Sequence, residues 1–461
     1  MGNLSQLDQK RLQVPLSAEE YAKNFCDIHP PLDAKMAAVE SARCYFCYDA
    51  PCMEACPTHI NIPEFIRRIH TGNRLGAGVE ILDANILGGT CARVCPVEIL
   101  CEQACVRTKA EEKPVTIGLL QRFATDYIFE KKIQPFKRAA PTGKKFAVVG
   151  AGPAGLSCAH KLSMLGHEVE IFEAKPKAGG LNEYGIAAYK MLEDFAQKEV
   201  ELLLSLGGIT LHYEQALGRD FTLASLRKRF DSVFLAAGLA GVNALKLEGE
   251  NLPGVINAVD YISELRQAKH YADLKIGKRV IVIGGGNTAI DIAIQSKALG
   301  AEEVTLVYRR GASDMSATKY EQDLAQTHGV VIKFWSKPVA IQGDTNGVSA
   351  VVFEKTRKND EGNLVSTGEK YTIETDVVFK AVGQVFLPNS LGQESEVLEL
   401  ANGKIKVNAL RKTSLAGVYA GGDCIAHKED LTVVAVQDGK LAAHAMDLAI
   451  SSRGRGVVQN G

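Results

Sequence analysis

The chain has 461 residues, 46% of them apolar and 23% charged, with a formal net charge of −1. That length suggests about three domains of ~150 residues. The balanced charge supplies no field that would gather nucleic acid or an anionic membrane. No apolar run approaches the ~18 residues of a membrane span. The opening MGNLSQLDQKRLQ has neither the apolar core of a secretory signal nor the serine spacing of a myristoylation site. The expectation is a cytoplasmic protein with no membrane or nucleic-acid partner.

Residues 1 to about 35 are polar, with Pro30 and Pro31 near the end, and read as an arm without clear structure. From Ala37 the sequence turns helical and rich in cysteine. Nine of the eleven cysteines lie before residue 106. They form two compact runs, Cys44-x2-Cys47-x4-Cys52-x3-Cys56-Pro57 and Cys91-x3-Cys95-Pro96-x5-Cys101-x3-Cys105. In a cytosolic chain such clustering points to metal rather than disulfides. Two runs of four thiols, each with a Cys-Pro pair, have the pattern of two-cluster ferredoxin ligation. Thiolates are soft donors suited to iron and sulfide. Structural zinc also takes four cysteines, but it favours CxxC knuckles in ribbons, and this stretch is helical with a single CxxC. Cys26 and Cys158 read as packed thiols. A helix through Phe129 and a basic linker from Lys131 to Gly143 follow.

The apolar run Lys145–Val149 predicts a buried strand. Gly150, Ala151, Gly152, Pro153, Ala154 and Gly155 then give a G-x-G-x-x-G turn, and a helix runs from Leu156 to Gly166. A second strand, Glu168–Phe172, closes on Glu173. The glycines make the turn, admit a pyrophosphate and let helix pack on strand, while the terminal acid binds ribose hydroxyls. The free N–H groups at the helix start hold phosphate charge. Gly179, Gly180 and Leu181 are small or apolar residues that would let backbone lie against a cofactor. A helix over about 191–206 and strands at 209–211 and 233–238 come next.

The motif then repeats as RVIVIGGGNTAID. Gly284, Gly285, Gly286, Asn287 and Thr288 form the turn, with Ala289 in the third glycine's place. The following strand ends in Arg309 and Arg310, with no acid, which favours a 2′-phosphate over a bare ribose hydroxyl. Two dinucleotide motifs imply two nucleotides. Strand 377–383 leaves through Ala381, Val382 and Gly383. Val418–Asp423 is a buried strand whose exit carries Gly422 and Asp423. A carboxylate there can accept from a ribityl hydroxyl, and the N-terminus of the helix from about Val434 can stabilise negative charge.

Taken together, GAGPAG with Glu173, GGGNTAID, YAGGD and the two cysteine runs resemble the glutamate synthase small subunit and the N-terminal half of dihydropyrimidine dehydrogenase. LNEYGIAAYK, VYRRGASDMSA and CARVCPVEILCEQAC look most like the NAD(P)-binding subunit of bacterial dihydropyrimidine dehydrogenase. The resemblance implies an α+β multidomain fold. Its parts would be an N-terminal all-α double 4Fe-4S domain (1–140) and two Rossmann-like domains of the FAD/NAD(P)-linked reductase type. The NAD(P) domain (276–384) would be inserted in the FAD domain (141–275 and 385–461). The resemblance further implies one cluster on Cys44, Cys47, Cys52 and Cys105. The other would use Cys56, Cys95 and Cys101 with Gln121, although Cys91 is close enough to compete. FAD would lie on Gly150–Gly155, Glu173, Gly180, Leu181, Gly422 and Asp423, with Thr432 and Lys190 near it. NADH or NADPH would use Gly284–Thr288, Arg309, Arg310 and Ala381–Gly383. Two departures bear on this. Ser316 stands where NADPH-using relatives carry an arginine, and Lys190 where relatives have arginine. No general acid or base is assigned, since hydride transfer requires none.

The expected role is electron input from NAD(P)H through FAD and the clusters. No residues are left over for a (β/α)8 barrel of ~250 residues. Reduction of uracil or thymine would therefore fall to an FMN- and iron–sulfur-bearing partner subunit, in a heterotetramer. The alternatives are a glutamate synthase small subunit and a non-catalytic flavin and metal redox sensor.

Overall fold

The computed structural model describes residue 4 and residues 7–388, 391, 398–426 and 430–455, with side chains to 451. It separates into two units. The smaller contains Met1–Ile28, Tyr184–Lys190 and Val242–Gln384; the larger contains His29–Glu183, Met191–Gly241 and Val385–Gly461.

The larger unit begins with helices α1 (Ala34–Ser41), α2 (Ile62–His70), α3 (Arg74–Ala84), α4 (Gly88–Val94) and α5 (Ile117–Glu130). Asp33, Asn61 and Asn73 start three of them by accepting from the N–H three residues on, each worth about 1 kcal/mol. The apolar stripe of α2, Ile62, Phe65, Ile66 and Ile69, has helical spacing. It is buried with Ile81 of α3 and Leu120 of α5 in one core. The cysteines sit at the edge of this core and in the turns between helices.

Next come β1 (Lys145–Val149), α6 (Pro153–Met164), β2 (Glu168–Phe172), α7 (Phe195–Leu204), β3 (Ile209–His212) and β4 (Ser232–Leu235). β1 pairs in parallel with both β2 and β4, and β2 with β3. All of β1 except Lys145 is buried, as a central parallel strand covered on both faces must be.

The smaller unit interrupts this sheet. It contains β5 (Val255–Asn257), β6 (Arg279–Gly284), α8 (Asn287–Ala298), β7 (Glu303–Val307), α9 (Lys319–Thr327) and β8 (Val331–Lys333). β9 (Ser336–Asp344), β10 (Gly347–Lys358), β11 (Leu364–Glu374) and β12 (Val377–Ala381) complete it. Its parallel sheet has the order β5-β12-β6-β7-β8, and β9-β10-β11 form a separate antiparallel sheet. The sequence reading did not anticipate that second sheet. Nor did it anticipate the N-terminal arm's packing. Leu7, Leu12, Tyr21 and Phe25 are buried in this unit's core. Phe25 stacks on Tyr271 at 4.1 Å, and Arg11 Nε bonds Asp376 at 3.2 Å. Cys26, expected to be packed, is exposed just past a short helix, Ala18–Asn24.

Lys190 is buried in the same unit. Its ammonium lies between Asp291 of α8 at 2.8 Å and Glu321 of α9 at 2.7 Å. The Tyr189 hydroxyl donates to Asp291 at 3.0 Å. Burial alone would push this lysine down, but the two carboxylates hold it above its ordinary value.

The chain then returns to the larger unit. β13 (Val418–Ala420) pairs with β4, giving the order β13-β4-β1-β2-β3. The long helix α10 (Thr432–Arg455) closes the fold along α6. The approach is so tight that a Cβ on Gly439 would stand 2.3 Å from the Ala154 carbonyl. Ser157 Oγ donates to the Val436 carbonyl across it at 2.8 Å. His160, also on α6, is buried edge-on to Phe136 at 5.1 Å, with no partner for Nε2 among the described residues. Burial pushes its imidazole down to about 3.

Two stability predictions follow from these buried charges. Removing a buried partner strands uncompensated charge at a cost of about 3–5 kcal/mol. Lys190→Met should therefore lower the unfolding midpoint reported by Trp335, the one tryptophan, which lies in the smaller unit. An unchanged midpoint contradicts the ion triad. For His160, the unfolded imidazole takes a proton below pH ~6.5 and the folded one does not. Its stabilising contribution is present above that pH and lost on acidification toward pH 3. Between pH 7 and 5.5 the wild type should lose roughly 1 kcal/mol more than His160→Met in urea titrations. Parallel losses would remove the histidine from the account.

Candidate cofactor sites

In the larger unit the first glycine turn delivers α6 with Gly152 as its N-cap and no side chain capping it. The helix's first N–H groups are left to whatever anion approaches, and the helix dipole favours one. The cradle has no room for side chains. A Cβ on Gly155 would be 2.0 Å from the Gly150 carbonyl, and one on Gly180 (φ +55°) 2.7 Å from Gly152 Cα. At the end of β2, Glu173 is buried. Its Oε2 accepts from Ala151 N–H at 2.7 Å and its Oε1 from Lys175 N–H at 2.8 Å. This ties the acid directly to the turn and aims it at the place a ribose would occupy.

The exit of β13 comes to the same place. Gly422 lies against Ala154, where a Cβ would be 3.0 Å from the alanine's own. Asp423, half-buried, follows it. Thr432 opens α10 with its Oγ1 donating to Asn182 Oδ1 at 2.9 Å, beside Leu181, which is 41% exposed despite its apolar side chain. Gly150–Gly155, Glu173, Gly180, Leu181, Gly422, Asp423 and Thr432 thus converge on one cradle. Its uncapped helix, buried acid and missing side chains fit FAD. Lys190 lies in the smaller unit, its ammonium held by Asp291 and Glu321.

The smaller unit repeats the device. α8 has Gly286 as its N-cap, again without a side-chain cap, so Asn287 and Thr288 present their N–H groups. Ala381, at the end of β12, pairs with Gly284, and Val382 and Gly383 are held by Asn243. Thr356 Oγ1 fixes the Arg309 carbonyl at 2.7 Å and Trp335 N–H the Arg310 carbonyl at 3.1 Å. Arg309 is exposed and Arg310 half-buried at the end of β7. Ser316 lies over the turn, 3.4 Å from the Gly285 carbonyl. This second cradle, with two guanidinium groups at its ribose end, fits a nicotinamide nucleotide.

The thiols fall into two groups. Cys44, Cys47, Cys52 and Cys105 line a small hollow walled by Pro51, Ile62, Ile66 and Ile117. Burial, with lesser contributions from the neighbouring Cys105, Cys44 and Cys47, pushes Cys52 up to about 12. Cys56, Cys95 and Cys101 are near enough for their charges to interact. Cys101 is pushed up chiefly by burial, and Cys95 chiefly by a hydrogen bond with Cys91. Such sulfurs ionise only when a cation enters among them. Among the described residues no three Cys, His, Asp or Glu side chains close on a single ion. The first four line one hollow together, and four convergent thiols are the donor set a 4Fe-4S cluster takes. Beside the trio, Gln121 on α5 is buried, and its Nε2 donates to the Gly88 carbonyl at 2.7 Å, leaving Oε1 as a ligand atom. Cys91 is also buried and accepts from Asn85 Nδ2 at 3.2 Å.

Several residues that shape these sites escaped the sequence reading. Asp438, fully buried on α10, accepts from Gly422 N–H at 2.7 Å and from Arg411 Nε at 2.6 Å, fixing the β13 exit. Glu199 of α7 accepts from Thr90 N–H at 2.9 Å and from the Thr90 hydroxyl at the start of α4. Burial pushes this carboxyl up to about 7. Arg93 of α4 sits 3.5 Å over the Phe195 ring. None of these carries a motif, because each acts across elements distant in sequence.

Comparison with known proteins agrees with this geometry. Residues 144–439 match the pyridine nucleotide-disulphide oxidoreductase family, and residues 21–133 match dihydropyrimidine dehydrogenase domain II, 4Fe-4S cluster. The NAD-dependent dihydropyrimidine dehydrogenase subunit PreT of Salmonella typhimurium is 32% identical over 429 residues, 92% of this chain and 97% of that protein. The NADPH glutamate synthase small chain of Escherichia coli is 32% identical over 462 residues, 95% of this chain and 96% of the relative. Among solved structures, Mycobacterium tuberculosis FprA in complex with NADPH superposes with a TM-score of 0.57 at 20% identity. It covers 69% of this chain and 87% of FprA, a likeness of fold. The chain belongs to the pyridine nucleotide-disulphide oxidoreductase family, alongside PreT subunits and glutamate synthase small chains, as an oxidoreductase of FAD, nicotinamide nucleotide and 4Fe-4S clusters.

Proposed function

We propose that this chain is the electron-input subunit of a dihydropyrimidine dehydrogenase, taking electrons from a nicotinamide nucleotide and handing them to an FMN- and iron–sulfur-bearing partner that reduces uracil or thymine. The observation that carries this reading is the placement of a thiol-lined hollow and a flavin cradle within one unit, in a chain matched almost end to end by PreT. When bound, FAD supplies the conversion of a two-electron hydride into single electrons, and the clusters supply one-electron transfer.

The chain's own residues bind and orient. Gly150–Gly155 and the start of α6 take the FAD pyrophosphate, Glu173 its ribose, and Asp423 and Thr432 the flavin end. Gly284–Thr288 and Ala381–Gly383 take the nicotinamide nucleotide. Cys44, Cys47, Cys52 and Cys105 hold one cluster, and Cys56, Cys95, Cys101 and Gln121 the other. Gln121 is preferred to Cys91 because its amide nitrogen, fixed on Gly88, sets the orientation of its oxygen. Ile62, Ile66 and Ile117 give the first hollow an apolar floor beneath the sulfurs. As a second reading, a glutamate synthase small subunit is supported by the comparable match to the Escherichia coli chain and by Arg309 and Arg310.

The two are separated by anaerobic purification with the native partner, then assay with each nucleotide. Oxidation of the reduced complex by uracil or thymine supports the first; oxidation only by 2-oxoglutarate plus glutamine establishes the second. Two narrower outcomes are expected. Replacing Arg309 and Arg310 by alanine removes contacts to a charged group worth about 1.5–3 kcal/mol. That should raise the KM for NADPH roughly 10–100-fold and leave NADH unchanged; equal effects on both would take the pair off the 2′-phosphate. Cys91→Ser should keep full iron content while Gln121→Ala alters the second cluster's spectrum, and the reverse pattern would make Cys91 the ligand.

A further inference from the structure

The helix α10 carries Lys440 immediately after Gly439, the residue at which it presses on α6. The lysine side chain does not stay in the flavin part. Its Nζ donates to the carbonyl of Ala84, the last residue of α3, and approaches that of Thr58 at 3.5 Å. A helix C-terminus is a favourable place for a cation. Thr58 in turn contacts Cys56, with Oγ1 and Sγ 3.4 Å apart. Lys440 forms no ion pair with a carboxylate among the described residues. Burial and the neighbouring Lys161 work against its charge, while Asp83 and Cys56 favour it.

We propose that Lys440 sets the reduction potential of the cluster bound at Cys56, by placing a positive charge from the flavin-bearing helix beside that cluster's ligand. The proposal rests on the assignment of Cys56 made above. Reduction adds one electron, and hence one negative charge, to the cluster. A nearby cation stabilises the reduced form more than the oxidised form. Cluster potentials respond to net charge and to hydrogen bonding at the sulfurs, and a partly buried site screens such a charge weakly. Lys440 is therefore a positioning and tuning residue, acting through Cys56 without itself binding iron. It makes the cluster at Cys56 easier to reduce than it would be without the charge.

The test uses the full-length holoprotein under anaerobic conditions. Both clusters are titrated with dithionite and mediators and followed by electron paramagnetic resonance in wild type, Lys440→Gln, Lys440→Met and Lys440→Arg. One cluster's potential should shift to more negative values in the glutamine and methionine variants, stay near wild type in the arginine variant, and leave the second cluster unmoved. The glutamine variant keeps a donor for Ala84, so an unshifted potential there, with iron and flavin content intact, overturns the proposal and leaves only a structural hydrogen bond. Cys56→Ser identifies the cluster concerned. If that variant keeps both signals unchanged, the ligand assignment falls and the proposal with it; if it abolishes the signal that Lys440→Gln shifted, both stand.

Discussion

The arrangement of the larger unit depends on one close contact, the seating of α10 on α6 at Gly439. No side chain fits there, since a Cβ would meet the Ala154 carbonyl at 2.3 Å. Ala154 belongs to the very turn that frees N–H groups for a pyrophosphate. With the two helices in contact, Asp438 reaches the Gly422 N–H and Thr432 reaches Asn182. Val433 enters the core of the helical segment, and Lys440 bonds the end of α3. The first half of a single helix thereby fixes the flavin cradle and touches the thiol-bearing segment. Any residue larger than glycine at 439 would force α10 outward and loosen these contacts together.

Electrostatics explains why the sites are built as they are. Both cradles begin with a helix whose N-cap is glycine and whose first N–H groups no side chain satisfies. Such ends are costly when buried and favourable when an anion arrives. The thiols show the opposite sign. Burial holds Cys44, Cys52 and Cys101 in their protonated form, so iron entry must release protons and supplies the charge that lets them ionise. Glu199 and Thr90 join the helical segment to the flavin part at the helix that leads into Cys95. The metal-binding and flavin-binding parts are thus one folded body, and loss of either group should be felt by the other.

Much of this was legible in the residues. The alternation of apolar strand, glycine turn and helix placed β1, α6, β2, β6, α8 and β7 to within two or three residues, because buried parallel strands must be continuous apolar runs. The cysteine spacing identified the metal-binding segment, since few residue types suit iron and sulfide. The antiparallel sheet β9-β10-β11 was not legible, because β11 is half-exposed and its polar residues, such as Thr367 and Lys370, mask the pattern. The N-terminal arm was misread for the same reason. Its few apolar residues are scattered among charges, and their burial against the smaller unit's core has no local periodicity. Lys190 resembles a flavin contact from its neighbours in sequence, yet its partners Asp291 and Glu321 lie over a hundred residues away.

The central claim is that one chain binds a flavin, a nicotinamide nucleotide and iron–sulfur clusters and passes electrons among them. The most direct measurement is anaerobic reduction of the purified protein by NADH or NADPH, with flavin absorbance and cluster paramagnetism recorded on the same sample after assay of iron and sulfide. The account predicts bleaching of the flavin followed by signals from reduced 4Fe-4S clusters. A protein that contains zinc without iron, or whose flavin bleaches while iron-bearing clusters never accept an electron, would contradict it.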